Sequence, residues 1–218
     1  MLKCLTVAAG MLVFLSTVRA EERFHPIENL CIEYEVSGQL MNGTMIQCHR
    51  KYGFESFTIQ DTEVGIGNIK QKQMSHTITI GDKIYAVDTA TQTATVTTNP
   101  MYQHLVQRMS QSGESAEDIG RTFISAMQYS PDGSQKTIQN MECSGYRSPS
   151  IGYACFSEDF IVLEQEVFGN RQVATRVQIG ESGGDENYTL WQRVELRQGV
   201  DLSNGINVQE ILKNYQQQ

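Results

Sequence analysis

The chain has 218 residues, of which 17 are Lys or Arg and 25 are Asp or Glu, giving a formal net charge of −8. An acidic surface repels phosphate backbones and anionic lipid headgroups, which argues against nucleic-acid binding and polybasic membrane docking. The length fits one larger all-β domain or two small ones, and no Pro/Gly/Ser-rich linker or charge run divides it.

The N-terminus reads as a cleavable export signal. Met1, Leu2 and Lys3 give a short positive start, Cys4 to Leu15 is apolar, and Val18-Arg19-Ala20 puts small residues where a signal peptidase reads. About twelve apolar residues fall short of the roughly 20 that span a bilayer. The expected organisation is therefore a signal peptide over 1–20 and a single domain over 21–218, soluble and without a transmembrane anchor once cleaved. Cleavage removes Lys3 and Arg19, so 17 basic and 25 acidic residues become 15 and 25, a net of −10.

Four cysteines remain: Cys31, Cys48, Cys143 and Cys155. An even number in an exported chain favours two disulfides, with three pairings open. Thr137 to Tyr146 and Ile151 to Ser157 can form two strands, and a loop centred on Pro149 puts Cys143 directly opposite Cys155. Cys31 with Cys48 follows by elimination. A tight Asn42-Gly43 turn would prevent that pair, whereas a wider loop from Gly38 to Gly43 brings Cys48 opposite Glu33, diagonal to Cys31. The disulfide and the wider loop are favoured.

From Asn29 the period is two: Leu30, Ile32, Tyr34 and Val36 alternate with Cys31, Glu33, Glu35 and Ser37. Further strands are expected at Thr44 to Tyr52, Glu55 to Gln60, Gln73 to Ile80, Lys83 to Asp88 and Thr93 to Thr98, forming an antiparallel meander. The period then becomes helical. Asn99 can cap a helix with Pro100 at its first position and Met101, Leu105 and Met109 on one face. Ser115 with Asp118 signals a second helix carrying Ile119, Phe123 and Met127. Pro131-Asp132-Gly133 ends that segment. Strands resume at Thr137 to Tyr146, Ile151 to Ser157, Phe160 to Phe168, Arg171 to Ile179 and Tyr188 to Leu196, with Gly169-Asn170 as a hairpin turn and a short helix after Asn207. The fold class is thus α+β, mainly β: a curled antiparallel sheet with two short helices inserted between two meanders.

No catalytic or metal motif assembles, and no cofactor is expected. His25, His49, His76 and His104 are scattered along the sequence without HExxH or CxxC spacing. Cys48 and His49 are neighbours on a strand, so they point to opposite faces. Gly65-Ile66-Gly67-Asn68-Ile69-Lys70 lacks the third glycine and the following helix of a dinucleotide loop, and reads as a bent loop. Gly183-Gly184-Asp185-Glu186-Asn187 reads as a solvated hairpin loop before it reads as a calcium site. Asn42-Gly43-Thr44 and Asn187-Tyr188-Thr189 are glycan sequons that matter only in a eukaryotic secretory route.

Ile32-x-Tyr34-x-Val36-x-Gly38 at the head of a meander, Gly81-Asp82-Lys83-Ile84-Tyr85-Ala86-Val87-Asp88 in its middle, helices next and a second meander after them resemble the LolA/LolB-like superfamily. The likeness spans about residues 28–200 and is nearest to uncharacterised periplasmic proteins of that organisation, in which Cys143 and Cys155 would bracket a hairpin before Phe160-Ile161-Val162-Leu163. It implies an incomplete barrel whose open side the helices close over an apolar cavity. The long amphipathic helix that precedes the first strand in the carriers has no counterpart here, since Glu21 to Glu28 is short, polar and interrupted by Pro26. The function expected is a noncatalytic periplasmic binding protein for a lipid, lipoprotein or other apolar ligand. The alternative is a ligand-free module that binds another envelope protein. Ile32, Tyr34, Ile78, Ile80, Met101, Leu105, Phe123 and Met127 are the expected lining.

Overall fold

A computed structural model describes residues 23–39, 41–66, 69–88, 90–190 and 195–198. The export signal and the helix expected after Asn207 lie outside these residues. The first meander comprises β1 (Leu30–Gly38), β2 (Met41–Arg50), β3 (Glu55–Ile66), β4 (Ile69–Ile80), β5 (Lys83–Asp88) and β6 (Thr93–Thr98). Helices α1 (Pro100–Ser112) and α2 (Ala116–Ala126) follow. The second meander comprises β7 (Ser130–Ile138), β8 (Met141–Ser148), β9 (Gly152–Phe156), β10 (Val162–Val167) and β11 (Asn170–Ile179). A 3₁₀ turn (Asp185–Tyr188) and β12 (Glu195–Gln198) complete the described chain.

All twelve strands form one open, curled sheet in the order β12-β6-β5-β4-β3-β2-β1-β11-β10-β9-β8-β7. Every pairing is antiparallel except that of β12, which runs parallel to β6. The two meanders join where β11 returns to pair with β1. The mainly β architecture with two helices between two meanders is therefore present.

Two apolar clusters hold the sheet. Leu30, Ile32 and Tyr34 of β1 pack with Tyr153, Cys155, Ile161, Leu163 and Ala174 of the second meander. Cys31 packs with Cys48, Phe57, Ile78, Val87 and Ala94 of the first meander and with Tyr188. Consecutive residues of a strand face opposite sides, so β1 contributes its even positions to one cluster and Cys31 to the other. Each cluster contains one cross-strand disulfide, Cys31–Cys48 and Cys143–Cys155.

Both pairings are as expected, but their registers are exchanged. Cys31 lies directly opposite Cys48, whereas Cys155 lies opposite Gly145 and reaches Cys143 on the diagonal. The first hairpin turns between Gly38 and Met41, where Asn42 clasps Gly38: the Gly38 amide donates to Asn42 Oδ1 at 3.3 Å and Asn42 Nδ2 donates back to the Gly38 carbonyl at 3.2 Å. Neither the tight Asn42-Gly43 turn nor the wider Gly38 to Gly43 loop forms. Gly43 instead sits within β2 at φ +152°, where a Cβ would come to 2.2 Å from the Asp61 carbonyl oxygen. Its glycine serves the close approach of β3 and not a turn.

Other boundaries shift for physical reasons. The Gly65 to Lys70 segment is the end of a long hairpin, with Ile66 paired to Ile69. Its strands run beyond the expected Gln60 and Gln73 limits as a polar ribbon, on which Lys70 meets Glu63 at 2.6 Å and Lys72 meets Asp61 at 3.1 Å. Thr137 to Tyr146 is not one strand, because Gln139 and Asn140 adopt φ of 52° and 60° and turn β7 into β8. Pro131-Asp132-Gly133 lies in a bulge of β7, an edge strand that tolerates proline. The β10–β11 turn is Phe168-Gly169, one residue earlier than expected. Tyr188 does not begin a strand; it ends the 3₁₀ turn and is buried edge-on against Phe57 at 5.0 Å between ring centroids. The Gly183 to Asn187 loop thereby packs on the sheet, with Asp185 held by Arg50.

Candidate functional site

The helices are built as their sequences dictate. Ser115 Oγ accepts from the Asp118 amide at 3.1 Å, and Asp118 Oδ2 accepts from the Ser115 amide at 3.0 Å, a complete capping box. At the far end of α2, Ser148 Oγ donates to the Met127 carbonyl at 2.8 Å and ties the helix to β8. Between these anchors Gly120 lies against Phe160, where a Cβ would come to 2.7 Å from the ring. The absent side chain lets α2 approach the β9–β10 connection. That connection is held by Ser157, whose Oγ accepts from the Ile161 amide at 3.1 Å, and it places Phe160 at φ 62°, uncommon for a bulky residue.

An apolar groove of about 320 Å³ opens beside α2. Leu105 and Arg108 of α1 line it, together with Ile119, Phe123 and Ala126 of α2, Met127, and Phe156, Phe160 and Val162 of the second meander. Phe24, His25 and Pro26 of the segment before β1 form its remaining wall. This strap is fixed because the Phe24 and His25 amides both donate to the Tyr52 carbonyl at 2.9 Å, while the Tyr52 amide donates to the Glu28 carbonyl at 3.0 Å. Phe24, Phe54 and Tyr102 form an aromatic contact set, with centroids 5.6 to 6.4 Å apart, that joins strap, sheet and α1.

The strap also brings together two histidines that are distant in sequence. His25 and His49 have ring centroids 4.5 Å apart. His25 Nδ1 accepts from the Ile27 amide at 3.1 Å, and His49 Nε2 lies 3.0 Å from the Ile27 carbonyl. Burial, followed by the neighbouring His49, lowers His25 to a pKa of about 4. Burial likewise lowers His49. Both are neutral near pH 7. The pair has no third partner for a metal: among the described residues no cluster of three His, Cys, Asp or Glu could hold one.

Of the expected lining, Leu105, Phe123 and Met127 reach this groove. Tyr34 does not line it: it is buried in the second-meander cluster, where its hydroxyl donates to the Val162 carbonyl at 2.9 Å. Ile32 is in the second-meander cluster, and Ile78, 0% exposed, and Ile80 belong to the first-meander cluster. The Met101 side chain is outside the described ones. Sequence periodicity misses Phe24, Arg108, Phe156 and Phe160 as lining, although the Phe160-Ile161-Val162-Leu163 run is visible as an apolar stretch.

A larger hollow of about 620 Å³ lies on the other flank of α2, lined by Arg121, Lys136, Glu142, Ser144, Glu158 and Asp159 among others. Its charges are mixed, and Lys136 is already engaged by Glu164. Ligand pockets are predominantly apolar with a few placed polar groups, which the groove satisfies and this hollow does not.

Among the described residues, no helix is long and apolar enough to cross a membrane. The two disulfides fit an oxidising environment. No protein-family model matches the chain, and neither does any curated protein. Among solved structures, it is similar to an uncharacterized conserved protein from Thermus thermophilus at 5% identity and a TM-score of 0.48, covering 80% of this chain and 92% of that one. It is also similar to PNGF-II in two crystal forms, at 10% and 8% identity and TM-scores of 0.44 and 0.43. Those matches cover 85% and 82% of this chain, which spans about a third (33%) of the PNGF-II chain.

Proposed function

We propose that the protein is exported and acts without catalysis, holding a lipid, the acyl part of a lipoprotein or another apolar ligand in the groove between α1, α2 and the strap. The observation that carries this reading is the groove itself, about 320 Å³ and lined almost wholly by apolar side chains. Such a volume is at the small end of ligand pockets, which run to about 300–1,000 Å³. Each methylene buried there would contribute about 0.8 kcal/mol. Phe123 is 47% exposed despite lying on the apolar stripe of α2, as expected for a wall that a ligand would complete. The LolA/LolB-like resemblance, with its cavity between sheet and helices, agrees with this placement, and the apolar start of the sequence agrees with export to a periplasm.

Native mass spectrometry of protein purified from its own envelope fraction, followed by organic extraction, tests the proposal. A stoichiometric acyl-containing ligand is expected. Bare protein that takes up no added lipid would overturn it. A second reading, an interaction module for an envelope protein, draws on Phe168, which is 82% exposed at the β10–β11 turn. Under that reading Phe168→Ser abolishes partner capture while the groove binds nothing.

A further inference from the structure

Resting on the groove reading, we infer that the occupant is a single-chain amphiphile with a carboxylate head, a free fatty acid, whose head sits on Arg108. The chain as a whole is acidic, with 25 acidic against 17 basic residues. Among the described residues the groove wall itself is free of acid, with Glu114 pairing Arg108 from behind it. Its ionisable side chains are His25, His104 and Arg108. Burial keeps His25 neutral near pH 7, so Arg108 supplies the permanent positive charge.

Arg108 is held in place and partly free. Its Nε and Nη2 donate to Glu114 Oε1 at 3.2 and 2.8 Å, and Nη2 also donates to Thr122 Oγ1 at 3.1 Å. Nη2 also lies 2.6 Å from Glu114 Oε2, so the pair is a salt bridge; among the described residues Nη1 makes no hydrogen bond. His104 precedes Arg108 by four positions on α1 and shares its face. The guanidinium is thus clamped between α1 and α2 at the wall of an apolar groove with a donor to spare. A carboxylate there would gain a charge-assisted hydrogen bond while its alkyl chain lay along Leu105, Phe123 and Met127. An alkylammonium head would offer Nη1 no acceptor, and an alcohol would forgo the ionic contribution.

The test is a titration at pH 7.5 with dodecanoate, dodecanol and dodecylammonium, each kept monomeric. Dodecanoate is expected to bind roughly tenfold tighter than dodecanol, the factor that a hydrogen bond to a charged group supplies, and dodecylammonium weakest. Arg108→Gln should bring the dodecanoate-to-dodecanol ratio close to one. Glu114→Gln, which removes the competing carboxylate, should raise that ratio, whereas a merely structural Arg108–Glu114 pair would leave it unchanged. The second variant decides the matter should the first fail to fold. Equal binding of dodecanoate and dodecanol, or a preference for dodecylammonium, overturns the carboxylate assignment and leaves the groove reading standing. Binding of none of the three overturns both.

Discussion

The two halves of the sheet are stabilised by the same devices, yet only the second supplies strand-side lining to the groove. The first meander has the Cys31–Cys48 disulfide and a buried carboxylate, Glu55, 7% exposed and clasped by Arg50 and Lys51, with Arg50 lying 4.0 Å over the Tyr188 ring. The second has the Cys143–Cys155 disulfide and Glu164, 4% exposed and clasped by Lys136 and Arg171, with Lys136 lying 4.6 Å over the Tyr153 ring. The difference is in what covers them. The 3₁₀ turn covers the first meander with Tyr188 and leaves only a smaller hollow of about 190 Å³ beside Ile78 and Val87, whereas α2 approaches the second at Gly120 and leaves a larger apolar opening beside it. Stability devices are therefore shared, and ligand binding should follow the second half more closely than the first.

The disulfides give the largest expected effect. Each closes a short loop, with sequence separations of 17 and 12, and is worth about 3 kcal/mol in the chain-entropy account. Replacing either pair by serine should lower the melting temperature by comparable amounts. Only Cys143→Ser/Cys155→Ser should also weaken uptake of an apolar probe, because Cys155 adjoins Phe156 in the groove wall; loss of uptake in Cys31→Ser/Cys48→Ser alone would break the division.

The buried carboxylates come next. Burial pushes the Glu164 carboxyl up, but Lys136 and Arg171 outweigh it and hold the group below its ordinary value; Lys51 and Arg50 do the same for Glu55. Glu55→Gln and Glu164→Gln should each cost about 1–2 kcal/mol in denaturant unfolding, discounted because the cations remain partly solvated. Gly120→Ala is a sharper probe. Helix propensity alone would favour alanine by about 1 kcal/mol, yet the added Cβ meets Phe160; the expected result is lower stability and altered probe binding, and a plain gain in stability would contradict the close approach.

The effect that is smallest near neutral pH is the acid dependence of the strap. His25 and His49 are lowered in the fold, so the unfolded chain, with histidines near 6.5, binds more protons. Their contribution is complete above about pH 6.5 and is lost as pH falls towards the folded value of about 4 for His25. The melting temperature should decline between pH 6.5 and 4.5, and His49→Phe should flatten that decline.

Much of this was legible in the sequence. Alternation in Leu30 to Val36 marks a strand, Lys83 to Asp88 and Thr93 to Thr98 match β5 and β6 to the residue, and Ser115 with Asp118 locates the start of α2. Alternation reports a half-buried face, so it failed between Gln60 and Gln73, where the β3–β4 ribbon is held by backbone pairing and charge pairs. The groove was half legible. Leu105, Phe123 and Met127 follow from helical spacing, but Phe24, Phe156 and Phe160 reach it only through the strap and the left-handed turn at Phe160. Ile78 carries the same local signal as a groove residue, but it packs with Phe57, Val87 and Tyr188 and lines a separate, smaller hollow of about 190 Å³ under the 3₁₀ turn.

The central claim, that the apolar groove beside α2 is where a ligand binds, is tested most directly by photocrosslinking with a fatty acid bearing a diazirine in its alkyl chain, followed by peptide mapping. Adducts confined to peptides containing Leu105, Phe123 and Met127, and displaced by excess dodecanoate, are the predicted result. Adducts spread over both meanders, or concentrated at exposed Met74 and Phe168, would contradict it.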